Sequence, residues 1–194
     1  DNNIFISEGQ FGYSQFHGIK KIHRDKDGTF LKCEIIAGRT SGYRNSTFNN
    51  SKFCNPRGIA FDSTGKLWVA DKGNNYLRCL DFTQNCVLTN EPNDYFRSPL
   101  AVKVTRQDQL ILLTDSGVLI QESSLKWELV LQFEHRVFPY DIALDSEDNI
   151  YVSDTRDCIT KIAHGTRVAQ TFVSKVGFEL DMGGFLTSMG CSGK

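Results

Sequence analysis

The sequence lacks most of what would place it in a familiar functional class. It has no run of 18 apolar residues, so no segment is long enough to span a membrane as a helix. It has no basic excess: 22 Lys and Arg stand against 23 Asp and Glu, a net charge of −1. A nucleic-acid partner is thereby disfavoured, because phosphate binding draws on clustered positive charge. No Cys-x-x-Cys occurs, so the spacing of zinc ligands is absent. No Gly-x-Ser-x-Gly occurs, and with it goes the strained turn of a serine nucleophile. Helical periodicity is not sustained over 11 residues anywhere, so no α-helix of consequence is expected. The chain starts at Asp1 without Met or a signal peptide, and is read as a mature or trimmed product.

What is present is a globular composition with a repeat. The 194 residues suit one domain, and 14 Phe, 6 Tyr and 2 Trp exclude a disordered chain. The segment 55–71, with Pro56, Gly58, Ile59, Ala60, Asp62, Gly65, Leu67, Trp68, Val69 and Asp71, recurs without a gap at 138–154. There Pro139, Ile142, Ala143, Asp145, Ile150, Tyr151, Val152 and Asp154 hold the same places. A weaker copy runs from Pro99 to Leu112, with Thr114 replacing the last Asp and Asp115 one step late. The three prolines are 43 and 40 residues apart, the length of one four-stranded propeller blade. Ile4 to Glu8 matches Leu67 to Asp71, and Ile19-Lys20-Lys21-Ile22 matches Leu77-Arg78-Cys79-Leu80 and Ile159-Thr160-Lys161-Ile162. Residues 177–186 match 58–67. The fold class expected is all-β, a single domain over 1–194, with blades near 1–38, 53–90, 96–134 and 137–174. Residues 175–194 would supply a further first strand. About four blades would either close by themselves or form part of a larger propeller.

The run from Pro56 to Arg78 (Pro-x-Gly-Ile-Ala, then Asp62, Gly65, Leu67, Val69-Ala70-Asp71, Asn74 and Leu77-Arg78) resembles an NHL repeat. The segment Leu67 to Asp71 is more distantly similar to the YWTD propellers of extracellular receptors. Some NHL relatives are lyases that act on peptidyl-hydroxyglycine with a metal, His, Tyr and Arg, and that resemblance keeps an enzyme open as an alternative.

Strand alternation puts loops 9–18, 72–75, 115–117 and 155–157 on one face, beside the starts of the first strands. Arg57, Asn74, Asn75, Tyr140 and Arg156 are the binding-face candidates. The acids Glu8, Asp71, Asp115 and Asp154 repeat there. They could ring a Ca2+, with Asp71 and Asp154 the metal candidates, but as turn-closing acceptors they have a simpler reading. Of the histidines His17, His23, His135 and His164, only His17 lies in a loop on this face, and scattered surface histidines are the expectation. No catalytic residue, cofactor or metal is assigned, although Ca2+ or Zn2+ stays an alternative.

Six cysteines occur, at 33, 54, 79, 86, 158 and 191, and permit 15 pairings. The expected bridges are Cys79–Cys86 across a hairpin, Cys33–Cys54 between blades, and Cys158–Cys191 by elimination. Asn45-Ser46-Thr47 and Asn49-Asn50-Ser51 are glycosylation sequons in one polar stretch. Sequons with an even cysteine count favour secretion. The function expected is a secreted, glycosylated, disulfide-stabilised module that binds a protein, a glycan or copies of itself. The alternative is a metal-dependent lyase or hydrolase on one propeller face.

Overall fold

A computed structural model of the chain describes residues 3–9, 15–90, 96–123, 126–134 and 137–173. The fold is all-β, and the chain separates into two compact units, 1–102 and 103–194. Residues 175–194, expected to start another blade, lie outside the described residues.

The first unit holds two antiparallel sheets. One consists of β1 (Ile4–Glu8), β2 (His17–Arg24) and β3 (Phe30–Arg39), in that order. The other runs β4 (Pro56–Phe61), β5 (Leu67–Asp71), β6 (Tyr76–Asp81) and β7 (Cys86–Thr89). Strand order equals chain order, so each sheet is a meander with short connections. Among the described residues β1 has a strand on one side only.

The repeated Asp explains the first turn. Asp62 Oδ1 accepts from the Thr64 N–H at 3.0 Å and the Lys66 N–H at 3.0 Å, and its other oxygen accepts from the Trp68 indole at 2.9 Å. Gly65 completes the turn at φ +83°. This is the Asx geometry that such residues favour over an extended run. Gly58 meets a different need. Its N–H donates to Leu100 O at 2.9 Å, and a Cβ there would stand 2.5 Å from Ala101 Cα.

The core of this unit joins Ile19 and Ala37 of the first sheet to Phe53, Leu67, Val69, Leu80 and Val87. Fully burying such a side chain stabilises by roughly 1.5–3 kcal/mol. Phe5, Phe61, Phe82 and Phe48 extend it as edge-to-face pairs, Phe5 to Phe61 at 4.9 Å and Phe48 to Phe82 at 5.2 Å.

The remaining sheets are β8 (Ala101–Val104), β9 (Leu110–Leu113), β10 (Gly117–Ser123) and β11 (Lys126–Gln132), then β12 (Pro139–Leu144), β13 (Ile150–Asp154), β14 (Ile159–Ile162) and β15 (Ala169–Val173). Each is four-stranded and antiparallel. Every residue of β9 is buried, which is why it reads as an unbroken apolar run rather than an alternation. The last sheet repeats the Asx turn of the second. Asp145 accepts from the Glu147 and Asn149 N–H groups, both at 2.9 Å, and from the Tyr151 hydroxyl at 3.0 Å. Tyr151 thus does here what Trp68 does there, and Asp148 at φ 61° stands in for Gly65.

Candidate functional site

The conspicuous polar cluster sits at the end of β5. Asp71 and Arg78 are both fully buried and pair at 2.8 Å. Asp71 also accepts from the Cys54 N–H at 2.8 Å and from Asn74 Nδ2 at 2.8 Å. Arg78 donates to Arg44 O at 3.0 Å, Lys52 O at 3.2 Å and Asn45 Oδ1 at 2.8 Å. Its guanidinium lies 4.8 Å from the Tyr43 ring and 5.0 Å from that of Phe53. Burial pushes the Asp71 carboxyl above its ordinary value, against the bonds from Asn74, the Cys54 N–H and Arg78. Burial likewise pushes the Arg78 guanidinium down, and Asp71 opposes it.

Chemically this is a fastener. Residues 44, 45, 52 and 54 belong to the segment that links the two sheets, and the ion pair ties that segment to β5 and β6. Asn74, expected on the binding face, points into the tie, donating to Asp71 and to Gly42 O at 2.9 Å. Asn75 adopts φ 59° and accepts from the Ser98 N–H at 2.7 Å. Arg57 is half-buried, and its carbonyl accepts from the Ser7 hydroxyl.

Asp154 has the same character. Arg156 donates to it from its N–H and from its guanidinium, each at 2.7 Å. Thr114, which replaces the acid in the third sheet, is buried and accepts from the Ser116 and Gly117 N–H groups at 3.3 and 3.2 Å. Neither Asp71 nor Asp154 therefore offers a free oxygen set to a cation. Among the described residues no group of three or more His, Cys, Asp and Glu side chains could hold a metal ion. The expectation of scattered surface histidines needs correcting for His17, which is buried and accepts from the Asn55 N–H at 2.8 Å. His23 meets Glu34 at 2.8 Å. His135 lies outside the described residues.

The expected Cys79–Cys86 and Cys33–Cys54 bridges are not formed in the structure. Cys33, Cys54, Cys79 and Cys86 are free thiols, and Cys191, the expected partner of Cys158, lies outside the described residues. Register gives the reason for Cys79–Cys86. Cys79 faces Leu88 and Cys86 faces Asp81, so the two are diagonal neighbours. Diagonal positions are roughly 7–8 Å apart, too far for a bridge. Cys33 lies along β3 from Arg39, the end nearest Cys54, by about 20 Å at ~3.3 Å per residue. Cys79 is instead a core residue whose thiol burial pushes up to about 12.

The other expected face residue, Tyr140, is 68% exposed, and Phe138 beside it 61%. Thr155 fastens this corner: its hydroxyl accepts from the Phe138 N–H at 3.2 Å, and its own N–H donates to Phe138 O at 3.0 Å. Pro139 faces Asp154 across the ladder, so Tyr140 and Arg156 share one end of the last sheet. Phe138 was not singled out by sequence reasoning. Its signal was only the aromatic residues flanking Pro139.

Residues 53–80 match the NHL repeat. This segment is an NHL repeat, in a chain folded as β-propeller blades. No curated protein matches the sequence. Solved propellers match the fold. Virginiamycin B lyase from Staphylococcus aureus aligns with a TM-score of 0.58 and 13% identity, over 81% of this chain and 48% of the lyase. The nidogen/laminin complex gives 0.64 and 13%, over 83% and 60%. YCF48 bound to D1 peptide gives 0.57 and 10%, over 81% and 47%. The chain thus spans about half the length of the propellers it matches, and at these identities the likeness is one of fold.

Proposed function

We propose that this NHL propeller chain is a secreted, glycosylated module that binds a protein or glycan surface and carries out no chemistry of its own. One observation carries the reading. Where the repeat places polar residues at the ends of its second strands, Asp71, Thr114 and Asp154 are engaged in internal bonds, while Phe138 and Tyr140 stand exposed at the same end of the last sheet. Exposed aromatics on a rigid corner are the usual anchors of protein interfaces, because little side-chain entropy is lost on docking. The Thr155 bonds supply that rigidity. Two of the similar propellers were solved with protein or peptide partners, which agrees with the reading at the level of fold. Asn45 and Asn49 are both exposed, as glycan carriers must be.

The test is selection of a displayed peptide library on the purified chain, followed by rebinding to Phe138→Ser and Tyr140→Ser. The reading expects selected peptides to lose at least about tenfold in affinity on either variant, a typical anchor effect. Peptides that bind both variants as well as the parent chain would overturn it.

A further inference from the structure

A docking surface separate from the Phe138–Tyr140 corner lies on the sheet faces. The second sheet shows how a blade face is covered in this molecule. Leu67 and Val69 of β5 are fully buried in a core with Ile19 and Ala37 of the first sheet. In the repeat, Ile4 and Ile6 hold the places of Leu67 and Val69, yet they are 42% and 38% exposed. Register puts Ile22 and then Cys33 across from Ile4, and Lys20 and then Ile35 across from Ile6, all on that face. Phe5, on the opposite face, packs against Phe61. The first sheet therefore covers its neighbour with one face and, among the described residues, leaves an apolar face open.

The last sheet has the complementary deficiency. Ile142, Ile150, Val152 and Ile162 share one face and are buried. The reverse face carries Tyr151, Ile159 and Lys161, with Phe172 edge-on to Tyr151 at 5.3 Å and 42% exposed. Tyr151, Ile159 and Lys161 hold the repeat places of Phe5, Ile19 and Lys21. Even the cation–aromatic pair repeats: Lys21 lies 5.5 Å from the Phe5 ring, and Lys161 lies 5.5 Å from the Tyr151 ring.

We propose that the open face of the first sheet, around Ile4 and Ile6, is covered by the last sheet of a second copy, through Tyr151, Ile159 and Phe172. The occupant follows from the repeat, since the chain already uses Phe5 and Ile19 to cover Leu67 and Val69. The contact joins two different faces. Each pair of copies then keeps one face of either kind open, and copies add head to tail until a ring closes.

The test uses two variants of the full chain, Ile6→Glu on the first sheet and Phe172→Glu on the last, both at exposed positions. Circular dichroism melts confirm that each stays folded. Sedimentation velocity reads the assembly. Parent chain is expected to form dimers or larger species, and each variant alone to be a monomer. A mixture of the two retains one intact face of each kind and is expected to form one-to-one dimers and nothing larger. A parent chain that stays monomeric, or a mixture that does, would overturn the proposal. So would variants that assemble as the parent does. Peptide binding dependent on Phe138 and Tyr140 is read separately, so its survival alongside a monomeric parent sinks this inference and leaves the module reading standing.

Discussion

Replacing Arg78 with Ala strikes the tie that holds the linking segment to the NHL blade. The guanidinium is fully buried and donates to four acceptors, and two rings flank it. Its loss leaves the buried Asp71 carboxylate with only Asn74 and the Cys54 N–H, and leaves Arg44 O and Lys52 O without this donor. Breaking one side of a buried pair costs about 3–5 kcal/mol. The truncation also opens a void between Tyr43 and Phe53, so the upper part of that range applies. Arg78→Lys keeps the charge but loses the planar fork, and a loss of about 2 kcal/mol is expected from the missing bonds. Asp71→Ala should cost about as much as Arg78→Ala. The double variant should cost less than the two together by at least about 1 kcal/mol, because one interaction is removed twice. Urea unfolding followed by tryptophan fluorescence reads these values, with Trp68 in the same sheet. A loss below about 1 kcal/mol for Arg78→Ala, or additive single variants, would refute the fastener role.

Three further outcomes are expected. Asp145 is held down to about 2 by bonds from Asn149, Glu147 and Tyr151, below its ordinary carboxylate value. Its contribution to stability is therefore full above the unfolded value near 3.8 and is lost as pH falls through about 2. An NMR carboxyl titration should give that midpoint, and melts of Asp145→Asn should depend less on pH between these limits than melts of the parent. In native protein a thiol reagent should modify exposed Cys33 first and should reach buried Cys79, whose thiol lies near 12, only on unfolding. Peptide mapping checks the order, and prior protection of Cys33 by a bridge would contradict the structure. Gly58→Ala should destabilise by about 1–3 kcal/mol, since its Cβ would meet Ala101 backbone at 2.5 Å. Gly65→Ala adds nothing to a crowded site and should cost less, through the positive φ of 83° alone. Thermal melts of the two variants rank them.

Much of the blade architecture could be read from residue order. The Pro, Ile-Ala and Asp positions recur because each blade needs the same strand, the same Asx turn and the same close packing. Asp62 and Asp145 show this most clearly, for each closes the same turn. The site was less legible. Asn74 and Arg156 look like surface polar residues in the chain, yet each folds back on an acid just before it, Asn74 on Asp71 and Arg156 on Asp154. His17 reads as a loop residue but begins β2 and is buried. The cysteines misled for a related reason. An even count says nothing about distance, and the distance between Cys33 and Cys54 depends on how far β3 runs. The difference between Ile4 and Leu67 was invisible, because the two are alike in sequence and differ only in what covers them among the described residues.

Amide hydrogen exchange on the purified chain, alone and saturated with a selected peptide, tests the central claim that this chain of propeller blades is a binding module. The account predicts new protection at the start of β12, around Phe138 and Tyr140, and in the turn at 155–157 that fastens it. Protection confined to the groove lined by Gln107, Asp108, Gln121 and His164, with β12 unchanged, would contradict it.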